Sequence, residues 1–250
     1  MQISNSVKFW GAFLSLNLVG FGFCNYLYKF LVSNYAQNNL TISKKSLEQV
    51  SQKVVEKAWG HVGALAYQAG NQLMVSNNTK PQGLDKIQKQ YLRPHFGDLV
   101  DRVVVVYSAV LMEDWVAASF QINVGESNAQ VYGHRIYIKD IYRPGNVEQI
   151  ILLGHELYHC QQYEELGSLS KFGYHYFMQY KKADQTYERN IFEKEAFTFE
   201  KYFAKWLVKE IRRNPPPDTL YPTPYTDGRS KPYTLHPPYT LHPRPHRLRR

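Results

Sequence analysis

The sequence predicts an α+β fold: a small antiparallel sheet or hairpin packed on a helix that carries two histidines, with further helices around it and a hydrophobic helix at the N-terminus. Three observations predict it. Long stretches repeat apolar residues every three to four positions, the period of one helical face. Two short stretches, "RVVVVYSAV" (102–110) and "AQVYGHRIYI" (129–138), are β-branched or alternating, as strands are. The segment "IILLGHELYHC" (150–160) is apolar nearly all round apart from two histidines and a glutamate, the composition of a helix buried on several sides.

The elements follow in order. Residues 9–32 are mostly apolar, interrupted by Asn17, Asn25 and Lys29. The cleanest run, 9–23, falls between a signal-peptide core and a full span, so residues 1–35 read as a membrane anchor or signal. The alternative is a hydrophobic helix packed on the domain, which would leave the protein cytoplasmic rather than membrane-anchored or secreted. Residues 36–90 form a helical lead-in, in which Leu47, Val50, Val54, Ala58 and Val62 mark the buried stripe and Ser43 or Ser46 the cap. "VSNNTKPQG" (75–83) is a loop, and "LDKIQKQYL" (84–92) is a short helix ended by Arg93-Pro94. The strand at 102–110 comes next, then a hairpin or bent edge strand around Gly133, the turn "RPGN" (143–146) and helices over about 147–166, 169–183 and 190–212. Residues 91–213 make up the principal domain. After Arg213 the chain turns Pro- and Tyr-rich, with "PYTLHP" occurring twice in tandem, and residues 214–250 cannot build a packed core.

The formal charge of +9 would fit a nucleic-acid binder, but it is concentrated in that tail, where six Lys/Arg face two acids. The rest of the chain carries no basic stripe, so no specific nucleic-acid partner is expected. Two cysteines, Cys24 and Cys160, make no disulfide framework. Cys160 follows His159 by one residue and points about 100° away on a helix, as a small buried thiol.

His155, Glu156 and His159 spell H-E-x-x-H. On a helix the two imidazoles lie one turn apart on one face and can share a Zn²⁺, while the glutamate can reach a water without ligating the metal. A third ligand is needed. His175 is one source. The better one is "YERNIFEKEAFTFEKYF" (187–203), where Phe192, Ala196, Phe199 and Phe203 form an apolar stripe flanked by Glu193 and Glu195. Each glutamate lies about 80° from the stripe centre, so periodicity does not choose between them.

An H-E-x-x-H helix followed by a helix with E-x-x-A resembles the gluzincin arrangement, and that resemblance implies Glu193, three before Ala196, as the third ligand. Leu92-Arg93-Pro94 with Phe96-Gly97, then Ala129 to Gly133 with Ile136, then Leu152 to Gln162 are similar to the eCIS-core (extracellular contractile injection system) metallopeptidase domain of bacterial proteins. The similarity covers about residues 90–212. Gly154 stands where alanine is usual, Cys160 replaces a branched aliphatic, and Phe197 follows Ala196 where many zincins have aspartate.

The resemblance implies a zincin-like domain that hydrolyses peptide bonds, with Zn²⁺ held by His155, His159 and Glu193 and Glu156 as general base. Its partner would be a peptide or protein substrate. Tyr187 or His175 would stabilise the oxyanion, and "HRIYI" (134–138) is the expected edge strand for substrate pairing. The alternative is a catalytically inactive, zinc-stabilised interaction or anchoring domain.

Overall fold

The computed structural model describes residues 44–112 and 127–216. The apolar segment at 1–35, with its expected helix and Cys24, and the tail beyond residue 216 lie outside the described residues. Those described form a mostly helical α+β structure with one small mixed sheet. Among them no helix is long and apolar enough to cross a membrane.

Helix α1 spans Lys44–Asn77 and packs along α5, Leu169–Lys182. The face it buries is not the predicted one. Val50 and Val54 are 61% and 45% exposed, while Glu56, Gly60, Gly63, Ala66, Gly70 and Met74 turn inward. Glycine explains the choice, because interaxial distance is set by the side chains at the crossing. A Cβ on Gly63 would stand 2.6 Å from the Gly173 carbonyl oxygen and 2.3 Å from the Phe177 Cβ. The two backbones therefore meet through glycines, and an aliphatic stripe there would hold them apart.

A two-residue strand β1 (Gln82–Gly83) leads to α2 (Lys86–Phe96). Asp85 opens that helix with a capping box: its Oδ1 accepts from Gln88 N at 2.8 Å, and Gln88 Oε1 accepts from Asp85 N at 3.0 Å. Contrary to expectation, the helix does not stop at Arg93-Pro94. It runs one more turn, buries Phe96, and closes with Gly97 N donating to Arg93 O at 2.9 Å. Proline forfeits one bond there, but so near the end the loss is small beside the burial of an aromatic ring.

After a short α3 (Leu99–Arg102) come β2 (Val104–Val106), β3 (Ala129–Tyr132) and β4 (Arg135–Ile138). The strand order is β1-β2-β4-β3. β3 and β4 form the expected antiparallel hairpin, turning at Gly133, whose φ of 67° suits glycine. β2 pairs with β4 in parallel, Val105 opposite Ile136, so the sheet is mixed rather than antiparallel. Alternation identifies a strand but not its neighbour, and the long connection from β2 to β3 leaves either direction open. As a result "HRIYI" is not an edge: β4 lies between β2 and β3, with both sides of its ladder in use. Among the described strands the outer ones are β1 and β3, and the Val131 carbonyl of β3 already accepts a hydrogen bond from the Tyr67 hydroxyl of α1.

Helix α4 (Val147–Leu166) crosses the sheet, and α6 (Ile191–Arg213) packs on its other flank. Asn146 caps α4 by accepting from Gln149 N at 2.8 Å, and Gly167 ends it in the left-handed region at φ 79°. Ile150, Leu153, Leu157 and Cys160 share one buried cluster with Val105, Ile136 and Ile138 of the sheet and Phe203 and Leu207 of α6, and α4 contacts both the sheet and α6. Each fully buried leucine is worth roughly 1.5–3 kcal/mol. This double-sided burial explains why α4 is apolar nearly all round.

Candidate metal centre

The polar residues of α4 gather at its contact with α6. Along α6, Phe192, Glu195, Glu200 and Phe203 meet Gln162, Gln162, His155 and Gly154 in turn, so the two helices run antiparallel. Asn190 starts α6, accepting from Phe192 N at 3.2 Å and donating to the Tyr176 carbonyl of α5 at 3.3 Å. Glu193 thus falls in the first helical turn, where the macrodipole favours an anion.

His155, His159 and Glu193 converge, all buried, with exposures of 4%, 7% and 2%. The two Nε2 atoms lie 3.2 Å apart, and Glu193 Oε2 stands 3.6 Å from that of His155 and 3.4 Å from that of His159. Donors held 2.0–2.2 Å from a tetrahedral zinc are separated by about 3.3–3.6 Å, so the triangle has the right size for that ion.

The outer hydrogen bonds settle which atoms face inward. Gln162 Nε2 donates to Phe192 O at 3.2 Å and to Glu195 Oε2 at 2.9 Å, both acceptors. Its Oε1 is therefore the atom 2.8 Å from His159 Nδ1, which must carry the proton. On His155, Nδ1 lies 2.9 Å from Glu200 Oε2, within ion-pair distance but outside hydrogen-bond angle. A carboxylate oxygen that close to a ring nitrogen favours a proton on that Nδ1. When neutral, both imidazoles then present bare Nε2 lone pairs to each other and to Glu193 Oε2, a buried atom with no hydrogen bond. Three acceptors around one point repel unless a cation is shared among them. The donor set, the spacing and the orphaned oxygen all fit a divalent metal.

With the protein groups alone, protons do part of that job. Burial opposes a charge on His155, but Glu193 and Glu200 outweigh it and raise the imidazole to about 10. Burial opposes a charge on His159 as well, and Glu193 again raises it. Glu193, despite its own burial, is held well below the usual carboxylate range by the two imidazoles. Glu156, 6% exposed, is pushed up by burial, only partly offset by the imidazoles.

The predicted positions distribute as follows. Glu193 joins the histidines, whereas Glu195 is exposed and reaches the site only through Gln162. His175 packs edge-on against Tyr174 at 5.3 Å and is not part of the cluster. Tyr187 is 45% exposed overall, and burial of its phenol together with the charge of Glu193 pushes its pKa up. Phe197 covers the His155 ring at 4.7 Å. Two contributors were missed. The Tyr176 hydroxyl donates to Glu193 Oε1 at 2.7 Å, and nothing in the local pattern of α5 marks it. Glu200 was findable, since it lies two turns after Glu193 on the same face of α6. No family model, no curated protein and no solved structure matches the chain.

Proposed function

We propose that the chain is a zinc-dependent peptidase with a zincin-like active site. The observation that carries the reading is the triangle of His155 Nε2, His159 Nε2 and Glu193 Oε2, three acceptors 3.2–3.6 Å apart, with the carboxylate of Glu156 on the same helix turn. Zinc held there by His155, His159 and Glu193 would supply Lewis-acid chemistry, polarising a carbonyl and lowering the pKa of a water. Glu156 would act as the general base toward the attacking water and then as the acid toward the leaving amine. Its burial supports the role, because a carboxyl group pushed upward both accepts and releases a proton more readily near pH 7. Tyr187 stays protonated because burial and Glu193 hold its pKa up, and it serves as donor to the developing oxyanion.

One observation favours a second reading, a metal-stabilised domain without catalysis. All four site residues are 7% exposed or less, as in closed structural sites. Glu156→Gln separates the two. Under the peptidase reading the wild type cleaves a mixed peptide library, and the variant binds zinc equally but cleaves at least about 100-fold more slowly. Zinc binding by both with cleavage by neither would leave the non-catalytic reading standing.

A further inference from the structure

We propose that Glu200 is the positioning residue of the metal centre, fixing the ring and tautomer of His155. The inference rests on the metal-centre reading. Residues 193, 197 and 200 fall at i, i+4 and i+7 of α6, one face over two turns, and because α6 runs antiparallel to α4 this face descends past His159 to His155. Glu193 meets the imidazoles on their Nε2 side, Phe197 lies against the His155 ring at 4.7 Å, and Glu200 reaches its Nδ1 at 2.9 Å. The residue directly after Ala196 thus supplies an apolar wall, and the carboxylate comes one turn later.

The two imidazoles are supported unequally. His159 is held by Gln162, a neutral amide, whereas His155 is held by a charge. A carboxylate at Nδ1 makes the opposite nitrogen the better metal donor and stops the ring from flipping. The other two acids near His155 are Glu156, its chain neighbour, and Glu193, on the Nε2 side. Among the described residues, Glu200 is thus the acid that stands at the Nδ1 side of His155.

The test is the zinc dissociation constant of the full-length protein, measured by competition with a chromophoric chelator for wild type, Glu200→Gln and Glu200→Ala. The expected result is about 10- to 100-fold weaker binding for the alanine variant, with glutamine, which keeps an acceptor but loses the charge, in between. Should the alanine variant fail to fold, the near-isosteric glutamine variant carries the test. Binding by the variants within twofold of wild type overturns the assignment even if their melting temperatures fall, since a merely structural contact would behave that way. A wild type that binds no zinc overturns the metal centre itself, a separate and recognisable failure.

Discussion

The Nε2 atoms of His155 and His159 lie 3.2 Å apart, with their ring planes at 76°. One helical turn brings two imidazoles that close only if something between them removes the repulsion of facing lone pairs. Without metal, protonation favoured by Glu193 relieves the facing lone pairs, although two charged rings oppose each other; a bound cation would relieve them in place of the protons.

The two states should therefore respond to pH in opposite directions. His155 is raised from 6.5 to about 10, so in metal-free protein its pairing stabilises fully below about 6.5 and is lost as pH climbs toward 10. Glu193 is lowered from 4.5, so its share is present above 4.5 and lost as pH falls through its depressed value. Metal-free protein should be most stable between these limits and lose roughly 1–3 kcal/mol, several degrees in Tm, by pH 9. Zinc-loaded protein should hold or gain stability from pH 6 to 8, because its ligands must be deprotonated. Thermal melts with and without a chelator check this, and parallel slopes would contradict it.

Glu193 and Glu195 should differ sharply although they are two residues apart. Glu193→Gln removes a member of the acceptor triangle and should weaken zinc binding beyond the ~10–100-fold typical of outer partners. Glu195→Gln leaves Gln162 its bond to Phe192 O and should change affinity only a few-fold. Chelator competition on both variants decides it, and equal losses would put Glu195 in the centre after all.

Gly154 is matched to Phe203. An alanine Cβ there would lie 2.8 Å from Phe203 Cδ1, and that ring is fully buried and stacked on Phe199 at 5.6 Å and Trp206 at 5.7 Å. Gly154→Ala should forfeit the ~1 kcal/mol of helix propensity that alanine normally adds and lose up to about 2 kcal/mol net. Adding Phe203→Leu, which shortens the opposing side chain, should recover part of the loss, giving a coupling above about 0.5 kcal/mol in a urea-unfolding cycle. A plain stabilisation by Gly154→Ala would show that the ring yields freely.

Local spacing alone determined that His155 and His159 share a helical face with Glu156 between them, that their helix is buried on several sides, and that extended chain bends around Gly133. These properties depend on neighbours a few residues apart, where 3.6- and 2-residue periods translate directly into direction. Periodicity left Glu193 and Glu195 equal, because a helical wheel gives angles about its own axis and says nothing of what stands opposite. Only packing decided the rest. The antiparallel crossing of α6 on α4 brought Glu193 to the Nε2 atoms and Glu200 to His155 Nδ1. The glycine face of α1 won over its valines because two backbones could approach there, and parallel pairing with β2 put β4 inside the sheet. Tyr176 entered from a third helix. Each of these facts concerns the relative placement of two elements, and that placement follows from the shape of the whole core rather than from either element's own residues.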